Sequence, residues 1–198
     1  MLRLAMNRRV LIALAAAIAV ALGVGILQTR PENGRSQQTP LISPAEARQR
    51  LAGAPAQLGA IHEQSNQLLG GGRAAYERRV RELRGTPIVV NKWGSWCGPC
   101  REEFPLFNRA SVEFGREVAF LGVDSADSRS GAFAFLENNP VSYPSYFDPA
   151  GRLSSELGGE YYPSTVFYDS AGAQQIHQGP YTTYQDLADD IRRYALTP

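Results

Sequence analysis

The sequence has little of what cross-links or metallates a small protein: two cysteines, two histidines and one lysine among 198 residues. Cys97 and Cys100 allow a single bridge, which excludes a multi-disulfide scaffold and leaves a hydrophobic core to hold the fold. His62 and His177 stand 115 positions apart, outside the usual spacing of paired metal-ligating histidines, so zinc is the weaker use of the cysteines and no metal ligand is assigned. An excess of one charge sign is also missing. Twenty basic against 19 acidic side chains leave a net charge of +1, which gives no electrostatic footprint for nucleic acid. No flavin or nicotinamide motif occurs, so no cofactor is expected beyond a redox-active Cys97–Cys100 disulfide. With 43% hydrophobic and 20% charged residues and no internal repeat, disorder and coiled coil are excluded as well.

What the sequence does have is one long uncharged run. Val10 to Leu27, eighteen residues, would span roughly 27 Å as a helix at about 1.5 Å per residue, close to the thickness of a bilayer core. Arg3, Arg8 and Arg9 precede it, and the positive-inside tendency then sends the body across the membrane. Residues 1–27 thus read as a signal anchor with a transmembrane helix at about 10–27. The alternative is a cleaved signal peptide, for which Ala19-Val20-Ala21 offers small residues, or twin-arginine export through Arg8-Arg9. Each reading makes the protein extracytoplasmic, and the first makes it a single-pass protein of the cell membrane. The four arginines of the first thirty residues leave 16 basic against 19 acidic side chains for the rest, a mildly acidic body.

Residues 28–43, polar with Pro and Gly, read as a flexible linker. Residues 44–84 read as a helical N-terminal extension. Ser43-Pro44 is an N-cap and first-turn pair, Ile61, Leu68 and Leu69 mark a helical face ending at Gly70-Gly71-Gly72, and Ala74 to Leu83 forms the next helix. From Gly85 to Pro198 strands and helices alternate. Pro87 to Trp93 is a buried strand, Val118 to Val123 a central parallel one, and Thr165–Tyr168 with Gln174–His177 an antiparallel hairpin. A helix follows Cys97, a second carries Phe133, Phe135 and Leu136, and a last one starts near Thr183. The fold class is therefore α/β, a mixed β-sheet flanked by helices.

The chemistry lies in Cys97-Gly98-Pro99-Cys100, at the end of a strand and the start of a helix. There the unpaired backbone N–H groups and the macrodipole stabilise a thiolate, which makes Cys97 the nucleophile candidate. Cys100, one turn on, can resolve a mixed disulfide. A purely structural bridge is the competing use, but closing so short a loop gains only about 2 kcal/mol in the chain-entropy model.

WCGPC after a strand, together with Tyr162-Pro163-Ser164 before a later strand, resembles the thioredoxin superfamily. The resemblance implies a thioredoxin-like fold over 85–198, with Pro163 as the cis-proline that supports substrate binding. Asn91 stands where ordinary thioredoxins have an acidic residue. Asn91, Trp93-Gly94-Ser95-Trp96, Arg101-Glu102-Glu103-Phe104-Pro105 and Phe147 to Gly151 are instead similar to the membrane-anchored TlpA/ResA/CcmG (DsbE) type, in which a glutamate at the position of Glu103 lies near the redox pair. Helical spacing also places Cys100 and Glu103 on one face, where a desolvated carboxylate could pass protons to or from Cys100. The other reading is a surface glutamate favoured by the helix dipole.

Cys97, Cys100 and Glu103 are the expected catalytic residues, and Trp96, Tyr162, Pro163 and Ser164 the expected substrate contacts. Trp93 is expected in the core, Lys92 on an outward strand face, His62 and His177 as solvated or structural, and Tyr143, Tyr146 and Tyr161 as core or groove wall. The resemblance implies an extracytoplasmic reductant of protein disulfides, with apocytochrome c as one substrate class and a thiol-disulfide relay protein of the membrane as electron donor. A disulfide-forming oxidant and a non-enzymatic peptide-binding module are the alternatives.

Overall fold

The computed structural model describes residues 41–197. The apolar segment 10–27 and most of the 28–43 linker lie outside the described residues. Among the described residues no helix is long and apolar enough to cross a membrane.

Two short helices come first, α1 (Pro44–Leu51) and α2 (Ala56–His62), then β1 (Leu68–Leu69) and α3 (Gly72–Glu82). The alternating part follows as β2 (Ile88–Trp93), α4 (Gly98–Glu113), β3 (Ala119–Ser125), α5 (Arg129–Asn138) and β4 (Ser145–Asp148). A hairpin of β5 (Ser164–Tyr168) and β6 (Gln174–Gln178) precedes α6 (Tyr184–Asp190), which runs on into one wider turn over Ile191–Ala195. The six strands form one mixed sheet in the order β1-β4-β3-β2-β5-β6. β1, β4, β3 and β2 are parallel, β5 is antiparallel to β2, and β6 to β5.

The elements follow from their residues. Every residue of β2 and β3 is buried, as expected for apolar runs in a sheet covered on both faces. Ser43 caps α1 by accepting the Glu46 N–H at 3.2 Å, and Thr183 caps α6 through the Asp186 N–H. Before α1 the chain is fastened to the middle of α4: Ile42 N–H donates to Asn108 Oδ1 at 2.7 Å, and Asn108 Nδ2 donates back to Ile42 O at 3.1 Å.

One expectation is corrected. Leu68 and Leu69 are not helical. Asn66, in the left-handed region at φ 60°, turns the chain after α2 and is bonded to Leu136 O and the Val141 N–H, which sets β1 beside β4 with Leu68 opposite Ser145. β4 itself, four residues between Pro144 and Pro149, is too short to show a period. Leu58, Ile61, Leu68 and Tyr76, from the stretch read as an extension, pack in the same core as Trp93, Phe104 and Phe167.

Gly122 of β3 lies between Asn91 and Ser145. The Trp93 indole passes over it to donate to Ser145 Oγ at 3.1 Å, and a Cβ there would press on Ser145 and stand 3.2 Å from the indole nitrogen. Gly122→Ala is expected to destabilise the fold by about 1–3 kcal/mol through overpacking. The denaturation midpoint checks this, and an unchanged midpoint would mean that Ser145 swings clear.

Candidate active site

β2 ends at Trp93, and two residues later the chain reaches the loop that starts α4. Ser95 closes this turn onto the loop after β3. Its N–H donates to Asp127 Oδ2 at 2.5 Å and its hydroxyl to Asp127 Oδ1 at 3.0 Å. Trp96 Nε1 donates to Ala126 O at 3.0 Å, while its ring stays 55% exposed. Cys97 is the N-cap residue of α4, its sulfur accepting the Cys100 N–H at 3.1 Å, and Pro99 sits in the first turn, where a missing N–H costs nothing. The two cysteines are joined in a disulfide, their Cα atoms 5.3 Å apart. Cys97 is 4% exposed and Cys100 fully buried.

Glu103 follows one turn after Cys100, on the same face of α4. It is fully buried. Asn91 Nδ2 donates to Oε1 at 2.8 Å and the Tyr181 N–H to Oε2 at 3.1 Å. Burial pushes its carboxyl up to about 8 against the opposing pull of those two hydrogen bonds. Such a group holds a proton at neutral pH and can release it within the range in which thiols titrate. Asn91, noted in the sequence only as a departure from the thioredoxin pattern, is thus the neighbour of Glu103, and Tyr181 is a partner that no sequence signal announced.

Tyr162 and Pro163 are joined by a cis peptide bond, and Ser164 begins β5. The Tyr162 ring lies 4.8 Å from that of Trp96, and its hydroxyl donates to Ser125 Oγ at 2.9 Å. The Pro163 segment and the cysteine loop therefore meet through Trp96 and Tyr162. Trp93 is in the core, stacked on Phe135 and edge-on to Phe104. Tyr143 and Tyr146 are buried as expected, whereas Tyr161, expected in the core or a groove wall, is 59% exposed. His62 is structural, its ring nitrogens on Gly115 O and Ser142 O. His177 is stacked on Tyr181 beside Asp190.

Lys92 overturns its expectation. Its side chain is 0% exposed rather than outward, with Nζ donating to Gly159 O at 2.6 Å. Burial lowers its amine to about 8, with nearby Glu160 opposing. Strand alternation puts a polar residue outside only where one face of the sheet meets water, and β2 has no such face. Asp124, also missed, is buried at the end of β3, and neither carboxyl oxygen has a hydrogen-bond partner among the described residues. Burial first, and then Asp127 and Asp148, raise it to about 9.

The model of the AhpC/TSA family matches residues 69–174. The chain is 26% identical over 121 residues to the thiol-disulfide oxidoreductase ResA of Geobacillus kaustophilus, a match covering 60% of this chain and 67% of that one. It is 33% identical over 93 residues to the thiol:disulfide interchange protein DsbE of Pseudomonas fluorescens biotype C, covering 46% and 50%. The chain thus spans half to two thirds of the length of these curated relatives. Among solved structures, a DsbF homologue from Corynebacterium diphtheriae superposes with a TM-score of 0.51 at 27% identity, over 58% of this chain and 75% of that one. The mixed sheet and its helices are a thioredoxin-like α/β fold.

Proposed function

Since the chain belongs to the AhpC/TSA family, whose model takes in over half of it, we propose that it is a thiol-disulfide oxidoreductase that reduces disulfides of other proteins. The observation that carries this reading is a cysteine pair at the N-terminus of α4 with a buried carboxyl one turn behind it. In the reduced protein the Cys97 thiolate, favoured by the helix N-terminus, attacks one sulfur of the substrate disulfide and expels the other as a thiolate. The fraction of Glu103 that is ionised, which grows as pH rises through 8, accepts the proton of the Cys100 thiol as Cys100 attacks Cys97 Sγ. The second substrate sulfur leaves, and the Cys97–Cys100 disulfide holds the oxidation that the substrate has lost. Trp96, Tyr162 and Pro163 hold the substrate chain during the mixed-disulfide stage, while Ser164, expected as a further contact, is fully buried with its hydroxyl on Leu157 O.

The apolar segment 10–27 supports tethering in the cell membrane with the redox body on the extracytoplasmic side. With only one cysteine pair, electrons have to come from a membrane partner of the thiol-disulfide relay type. Maturation of c-type cytochromes is the setting that ResA- and DsbE-like sequence features favour. The test of direction is the reduction potential of the protein, equilibrated against thiol-disulfide buffers. A value near about −270 mV or lower is expected for a reductant, and one near about −120 mV would reverse the direction to disulfide formation.

A further inference from the structure

The chain between β4 and β5 returns to the sheet through residues 157–162, and three successive carbonyls of this return are each taken by a side chain from a different strand. Ser164 Oγ of β5 donates to Leu157 O, Gln178 Nε2 of β6 donates to Gly158 O at 3.1 Å, and Lys92 Nζ of β2 donates to Gly159 O at 2.6 Å. Gly158 and Gly159 both take positive φ, 93° and 65°, which turns the chain outward again after the third contact. Lys92 differs from the other two fasteners in one respect. Its ammonium also lies 4.2 Å from the centre of the Tyr162 ring, the ring that packs against Trp96 beside Cys97. One buried cation thereby reaches both the backbone of the return and the aromatic pair in front of the disulfide.

We propose that Lys92 is a positioning residue for substrate: it sets the 158–162 return and the Tyr162–Trp96 pair in the arrangement against which a disulfide-bearing polypeptide docks. This deepens the oxidoreductase reading and rests on it. Stability alone does not account for the lysine. A fully buried ammonium with one hydrogen bond and one ring face carries a desolvation penalty, and an apolar side chain of similar length fills the same space without it. The role left is geometric. Lys92 sits opposite Ser164 in the β2–β5 ladder, directly after Pro163, so its charge acts on the segment that meets the substrate chain while staying clear of the sulfur chemistry.

Lys92→Met tests this in the full chain with two substrates, turnover being driven by dithiothreitol. Insulin presents a disulfide within a polypeptide, and hydroxyethyl disulfide presents one without. The expected result is a KM for insulin raised about tenfold, the size of one cation–π contact in a desolvated site, with kcat within about twofold. The rate with hydroxyethyl disulfide and the reduction potential stay as in the wild type, and the thermal midpoint does not fall. An equal fall with both substrates, or an unchanged KM for insulin, would overturn the proposal. Wild-type protein inactive with both would instead overturn the oxidoreductase reading beneath it. Should Lys92→Met not fold, Lys92→Gln, which keeps a donor for Gly159 O and removes the charge, goes through the same two arms with the same expected split.

Discussion

Cys97→Ser is expected to bring turnover with any disulfide substrate down to the uncatalysed rate while leaving the fold intact. A serine hydroxyl does not exchange with a disulfide, and the sequence holds only one other cysteine. Cys100, the second cysteine, is fully buried behind the first. Serine is also a good N-cap, so α4 keeps its first turn. Insulin reduction followed by turbidity, with circular dichroism as the control for folding, reads the result. Residual turnover in Cys97→Ser would assign the first attack to Cys100. The complementary variant, Cys100→Ala, retains the attack but lacks the resolving thiol, so it accumulates a mixed disulfide with its substrate, visible as a band that reductant abolishes.

Glu103→Gln carries the second large effect, and it appears in both rate and stability. An unfolded glutamate titrates near 4.5 and this one near 8. Between those values the unfolded chain has released a proton that the folded chain still holds, so the stability tied to Glu103 is full below about pH 4.5 and is lost as pH rises through 8. At about 1.4 kcal/mol per pH unit the loss is of the order of 5 kcal/mol, and Asp124 adds a loss of the same sign. The glutamine resembles the protonated acid. Asn91, whose Oδ1 has no partner among the described residues, can turn its amide to accept from either. Denaturation of the disulfide form at pH 5 and pH 9 should therefore show a smaller decline in Glu103→Gln than in wild type, with the variant the more stable at pH 9. Exchange near neutral pH should slow about a hundredfold, the lower end of what a positioned acid–base group supplies, and the inflection near pH 8 should vanish from the rate profile. Identical profiles from pH 6 to 9 would remove Glu103 from the proton transfer.

The elements legible in the sequence are those with long one-sided signals. Ile88–Val89–Val90 and Ala119–Phe120–Leu121 are continuous apolar runs, and the β5–β6 hairpin is set off by Asp169-Ser170-Ala171-Gly172. β1 and β4 escaped because two and four residues carry no period, and their pairing depends on a turn at Asn66 whose bonds reach residues 70 to 77 positions ahead. At the site, Cys97, Cys100 and Glu103 lie within seven residues of one helix start, so their proximity was readable. Asn91 and Tyr181 meet Glu103 from 12 and 78 positions away, and only the folded sheet brings them there. Lys92 was misplaced for a related reason. Alternation says which face of a strand a side chain takes, but not whether that face is covered.

The attachment of Ile42 to Asn108 has a mechanical side. Tension arriving at residue 41 enters the body through two hydrogen bonds on Asn108 as well as through α1. Asn108 lies ten residues, about 15 Å, along the helix whose first turn holds the disulfide. A force applied at Ile42 is therefore felt at the stem of the redox helix, and the sulfur-bearing tip is oriented by the same element that holds Ile42.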